Sequence, residues 1–215
     1  LNNKRGWMQA KALTVDTQGQ KLDNRDTYQA DQQEITSGII SHGLLTLKTG
    51  YFDNQRGRLH AVGIFDTTTD YFDNRHGAVH ADSKATFNSS GFNNQHGIVS
   101  TLGNTTFKLQ QTALDNDDGV IESSDKLSFT GGQVNNRRGK LFGKQSLDIK
   151  SLALDNQAGL IKSDKAIDID TQGQSLINAD SGTGGGAGGI HSGGSLSLKT
   201  GEFNNRYGHF SAQGG

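Results

Sequence analysis

Seven histidines are the first candidates for metal or acid/base chemistry in this chain of 215 residues. His60 and His80 stand one repeat apart, as do His76 and His96, so each pair of imidazoles can stack and contribute to a zinc or nickel site. Such a site needs three or four ligands, and neither column continues: Ser100 and Glu122 follow at the first position, Asp118 and Arg138 at the second. The histidines therefore read as solvated side chains, with no metal and no cofactor assigned. Paired carboxylates, the machinery of glycoside hydrolysis, occur at Asp117-Asp118 and at Asp168/Asp170. A glycosidase also needs a cleft built by longer loops, which most of the chain lacks, so no catalytic residue is assigned and the chain does not read as an enzyme. The Gly-rich stretch from Ser181 to Gly189 resembles a phosphate loop only superficially, since no Lys-Ser/Thr pair and no helical pattern follow it. Tyr51 and Tyr71 precede the inward Phe52 and Phe72 and should face outward side by side. With Tyr28 they are the candidate contacts for a sugar or protein partner, although an ordinary cross-strand pair stabilising the face is the favoured reading of Tyr51 and Tyr71.

Composition excludes several classes. Without cysteine there is no disulfide framework, thiolate metal site or cysteine nucleophile. A net charge of −1 and a pI near 6.7 argue against nucleic-acid binding, which needs a clustered basic face. Apolar runs of a few residues span no membrane. Hydrophobic residues are only 31% and there are 30 glycines, so a conventional compact core would be hard to fill. Disorder is excluded by the low net charge, the absence of proline and the strict recurrence of apolar positions.

That recurrence organises everything else. An apolar residue, Asp or Asn, Asn, two variable residues, Gly, one variable residue and a further apolar residue form a motif repeated ten times, twice in degenerate form. Its second Asn falls at Asn3, Asn24, Asn54, Asn74, Asn94, Asn116, Asn136, Asn156, Asn178 and Asn205, with spacings of 20–22 except for 30 and 27 at two insertions. Between the Asn motifs lie alternating apolar pairs such as Leu45/Leu47, Ala85/Phe87, Leu147/Ile149 and Ile167/Ile169, a strand signal.

Three short strands in twenty residues, separated by Gly, Asn, Asp and Ser, predict an all-β parallel β-helix, a solenoid of about ten rungs of 20–22 residues. A flat antiparallel meander would join neighbours by hairpins, whereas an identical return every twenty residues stacks like on like. Strands about 4.8 Å apart make ten rungs a rod about 45–50 Å long. The second Asn is expected in a turn, its amide bonded to backbone and to the next Asn as a ladder through Asn3, Asn24, Asn54, Asn74, Asn94, Asn116, Asn136, Asn156 and Asn205. The Gly three residues later is expected to supply positive φ or a bulge. Arg25, Arg56, Arg75, Arg137, Arg138 and Arg206 should form an intermittent basic edge, interrupted by Asp117 and Asp118.

Residues 1–215 read as a single β-helix segment with insertions near 25–38 and 179–189, the first a loop or short helix and the second a flexible stretch. The chain opens at Leu1 with no leader and closes at Gly214-Gly215 with the pattern still running, which reads as an excerpt from a longer protein.

The rungs Leu154-Asp155-Asn156-Gln157-Ala158-Gly159-Leu160-Ile161 and Phe203-Asn204-Asn205-Arg206-Tyr207-Gly208-His209-Phe210 resemble the haemagglutinin repeats of filamentous haemagglutinin-like exoproteins, including contact-dependent growth inhibition toxin-delivery proteins. The resemblance covers essentially the whole chain. It implies two-partner secretion from a Gram-negative bacterium, with an outer-membrane β-barrel transporter as a transient partner, and folding outside the cell into a long filament whose parallel β-helix is right-handed. The expected function is an extracellular shaft that displays adhesive or toxin regions. The alternative is a receptor- or glycan-binding module acting through the insertions and the Tyr51/Tyr71 face, and a polysaccharide-active enzyme comes third.

Overall fold

A computed structural model describes residues 1–28, 37–110, 112–182 and 188–214, and among them it forms twenty-five strands and no helix. No helix is therefore long and apolar enough to cross a membrane among the described residues. Each strand pairs in parallel with its copy one rung away, so Leu59 lies beside Val79 and Phe52 beside Phe72. The strand after the Gly position recurs from Trp7–Ala10 to Phe210–Ala212 as a ten-stranded sheet. The strands carrying the alternating pair and those preceding the Asn form a second sheet. They are joined without a break in Leu45–Asp53, Phe65–Asp73 and Ala85–Asn93. About eight rungs are complete, flanked by partial ones. The ten copies of the repeat thus become a parallel β-solenoid.

Alternation decides which side chains face in. Along Arg58–Ala61 the side chains of Leu59 and Ala61 are buried while Arg58 and His60 are partly exposed. The interior is a column of side chains from the three strand positions. One half is dominated by phenylalanine: Phe52, Phe72 and Phe92 follow one another at 4.6 and 4.7 Å between centroids, and Phe87 stacks on Phe107 at 4.5 Å. Towards the other end Leu114, Val134, Leu154 and Leu176 take over the same position. Thr67 and Thr105 occupy inward positions opposite Phe87 and Leu127, so two apolar pairs are hidden in the sequence by a buried threonine.

Residues 29–36 of the first insertion and 183–187 of the second lie outside the described residues, and with them the expected loop or helix and the expected flexible stretch. Both insertions fall at the same place in the rung, between the Asn corner and the strand that follows it.

Candidate functional site

The corner is the most regular feature of the rod, and each of its residues has a separate task. The first Asp or Asn accepts the backbone N–H two residues on, as Asp73 Oδ1 does from Arg75 at 3.2 Å and Asn93 Oδ1 from Gln95 at 2.9 Å. This Asx turn reverses the chain at the end of the strand. Two residues after the second Asn the backbone is left-handed, at Arg56 (φ 50), His76 (φ 54), Asp118 (φ 52) and Ala158 (φ 55). The positive φ expected of the following Gly is thus carried by the residue before it. The Gly is required for a different reason: a Cβ on Gly97 would strike the carbonyl of Asn74 in the previous rung and the Oδ1 of Asn94 in its own. Backbone there passes too close to the amides to admit a side chain.

Asn3, Asn24, Asn54, Asn74, Asn94, Asn116, Asn136, Asn156, Asn178 and Asn205 lie in one file. Each Nδ2 donates to the Oδ1 of the next at 2.7–2.8 Å. Asn54 through Asn178 are fully buried. The remaining Nδ2 proton reaches main-chain carbonyls, as in Asn94 to Gly97 O at 3.1 Å and to Val120 O at 3.2 Å. A buried primary amide that leaves donors unpaired costs about 1–3 kcal/mol per group, and stacking identical amides avoids that cost. Asn178, on a degenerate copy, occupies the file like the others.

The two insertions leave the rod through one shared construction. In regular rungs the Gly N–H donates to the Asn carbonyl (Gly57 to Asn54, 2.8 Å), and the Gly carbonyl accepts from the next rung (Ala78 N–H, 2.8 Å). Where an insertion begins, the Gly is replaced by Thr27 or Ser181. The Thr27 hydroxyl donates to Asn24 O at 3.0 Å and accepts Arg58 N–H at 2.9 Å. The Ser181 hydroxyl donates to Asn178 O at 2.9 Å and accepts His209 N–H at 3.1 Å. One hydroxyl replaces both the N–H and the C=O of the Gly residue, which frees the main chain to depart. The chain rejoins at Gly38 (φ 107) and Gly189 (φ 112), whose N–H groups resume the ladder on Gly6 O and Gly159 O at 2.8 and 2.7 Å.

The remaining sequence candidates are dispersed. Tyr51 and Tyr71 stack at 5.7 Å and 9°, with Tyr51 OH donating to Asp73 Oδ2 at 2.7 Å and Lys21 Nζ 5.2 Å from the Tyr51 ring. Burial, and then the Asp73 carboxylate, push the Tyr51 phenol well above its ordinary value. Tyr28 is not part of this stack; its ring lies 5.2 Å from the Arg58 guanidinium at the mouth of the first insertion. Asp117 and Asp118 are both bound by Arg138, at 2.8 and 3.0 Å, and Asp170 lies 3.5 Å from Lys199. Asp168 lies between Asp148 and Ser197 in its sheet. His76 and His96 stack at 4.8 Å on the corner, while His60 and His80 sit on two neighbouring strands of the ten-stranded sheet beside Asp82.

Most of the expected basic edge is drawn into ion pairs, Arg25 with Asp23, Arg56 with Asp26, Arg75 with Asp73 and Arg137 with Asp155, all at 2.6–2.7 Å, while Arg206 lies 5.0 Å from the Tyr207 ring. Arg25 holds the Asp23 carboxyl down at about 2. At Asp73 burial works the other way, but hydrogen bonds from Arg75 and Tyr51 outweigh it and the carboxyl lies below its ordinary range. Asp115 has Asp117 where Arg25 and Arg75 stand, and burial raises it.

A stack of like rungs closed along one corner by a file of amides, with the corner Gly replaced by a hydroxyl at Thr27 and Ser181, is a solenoid segment. The haemagglutinin repeat model matches residues 6–83, 66–139, 127–175 and 170–215, and the chain belongs to the haemagglutinin repeat family. The repeat and the solenoid together fit a shaft segment of a secreted, adhesin-like protein, and the family points to a structural role rather than to catalysis. No curated protein and no solved structure gives a match.

Proposed function

We propose that residues 1–215 form one continuous length of the shaft of an extracellular filament, in a large adhesin or a contact-dependent toxin-delivery protein. The shaft holds adhesive or toxin regions away from the bacterial surface. The observation that carries this reading is the file of amides: the same residue, in the same bond, closes every rung from Asn3 to Asn205, so length grows with repeat number and nothing is spent on a cleft. The Asn ladder is thus a structural element of the filament. The protein reaches its place through a two-partner-secretion transporter of the outer membrane, unfolded in transit, and folds outside. A chain without cysteine threads such a pore without a periplasmic disulfide in its way.

A second reading, recognition of a receptor or glycan, is favoured by one observation: both insertions leave by the same hydroxyl construction, so the corner is built to carry excursions. The test is binding of the labelled chain to intact bacterial and epithelial cells. Beside it go a variant lacking residues 28–37 with Thr27→Gly and another lacking 182–188 with Ser181→Gly. Each excision restores the twenty-residue spacing and the Gly corner. A folded chain that binds no cell surface is the expected result; saturable binding abolished by either excision would replace the shaft by a recognition module.

A further inference from the structure

His60 and His80 are register partners on neighbouring rungs, and their rings lie 5.0 Å apart. Asp82 follows His80 by two residues, so strand alternation places both on the outer face. The His80 Nε2 is 2.7 Å from Asp82 Oδ1, and the His60 Nε2 is 3.4 Å from the same oxygen. All three donor atoms lie within 4.8 Å of one another, and among the described residues they are the one group of three or more potential metal ligands gathered so closely. Nitrogen and oxygen ligands at ~2.1 Å around a tetrahedral zinc ion stand about 3.4 Å apart. The His60 nitrogen and the Asp82 oxygen already stand at that spacing, and the His80 nitrogen lies 2.7 Å from the same oxygen. The flanking columns hold Ile40 beside His60 and Ser100 beside His80, and neither carries a charge that would oppose a cation.

We propose that His60, His80 and Asp82 hold one divalent transition-metal ion of the zinc type, which clips two neighbouring rungs together. Both imidazoles bind through Nε2 and carry their proton on Nδ1. The carboxylate is the third ligand, and water completes the set because the three side chains are partly exposed. The His76/His96 pair is the built-in control: its rings stack at 4.8 Å and 12°, but among the described residues it belongs to no such group of ligands. The site does not follow one column of the repeat: the third ligand lies two residues beyond the second, just past the end of its strand, rather than on the next rung.

The test is titration of the folded chain with zinc sulfate by calorimetry, with cobalt absorption as a report of coordination and thermal melting as a report of clipping. One ion per chain is expected, with tetrahedral-type cobalt bands and a melting temperature that rises with zinc. His60→Gln, His80→Gln and Asp82→Asn should each weaken binding by about tenfold or more, His76→Gln should leave it unchanged, and Asp82→Glu should retain it. Circular dichroism without metal checks that each variant is folded. Absence of saturable binding overturns the proposal. So does binding that Asp82→Asn leaves intact, or that His76→Gln weakens as much as His80→Gln, since either would mean surface imidazoles acting without a site.

Discussion

The rungs between Asn54 and Asn156 and the two rungs that begin at Asn24 and Asn178 solve one problem in two ways. Both must satisfy the Asn carbonyl and offer an acceptor to the rung above. The regular rungs do so with the backbone N–H and C=O of a Gly, which ties the main chain to the corner. The departing rungs do so with a side-chain hydroxyl, which leaves the main chain free. What the corner conserves is therefore a hydrogen-bonding pattern, and residue identity follows from whether the chain stays or leaves.

The comparison can be broken first at the regular rungs. Phe92→Asp buries a charge in the phenylalanine column and should cost about 5 kcal/mol or more, read as loss of the cooperative melting transition. Asn94→Ala should cost about 3 kcal/mol by denaturant unfolding, because Asn74 Nδ2 and Asn116 Oδ1 lose their shared partner in a fully buried file. A cost under about 1 kcal/mol would mean the amides are incidental to stability.

Next comes the contrast between the two corners. Gly97→Ala forces a Cβ against backbone and should cost about 2–3 kcal/mol. Thr27→Ala should cost about 1–2 kcal/mol, and Thr27→Ser, which keeps the hydroxyl, well under that. Equal effects of Ala and Ser at position 27 would show that the hydroxyl does not replace the peptide.

A smaller contrast lies in the carboxylates. Asp23 is held at about 2, below its ordinary 3.8, so it contributes stability above the ordinary value that is lost as pH falls through about 2. Arg25→Gln should flatten that acid limb of the stability profile. Asp115 is raised, so its charge is a liability near neutral pH that protonation relieves. Asp115→Asn, which supplies the residue used at 93 and 135, should stabilise the protein slightly at pH 7 and lose that advantage in acid. A change of opposite sign is expected of Ala158→Gly: relief of a left-handed alanine should raise stability by about 1 kcal/mol, whereas a φ-neutral site would show a loss.

The rungs were legible because period and alternation are both written in residue types. Leu59, Val79 and Val99 announce one column, and Leu147/Ile149 another. Thr67 and Thr105 hid two apolar pairs, since a threonine in the core cannot be told by type from one on the surface. The Gly was misjudged because type alone does not separate a residue that needs φ freedom from one that must lack a Cβ. The distinction depends on the Asn74 carbonyl of another rung. Thr27 and Ser181 were visible as departures from Gly beside each insertion, a signal that could have been read once both were compared. The basic edge misled because Asp23 and Asp73 precede their arginines by two residues, and only the Asx turn folds them back into contact.

Because the backbone ladders and the amide file all run from rung to rung, tension along the rod would load these bonds one rung after another, like the links of a chain. A rung that peels away exchanges ~4.8 Å of rod for roughly 70 Å of extended chain. A filament built this way gives ground in steps under flow or pull, and each released length can wind back onto the amide left exposed by its neighbour.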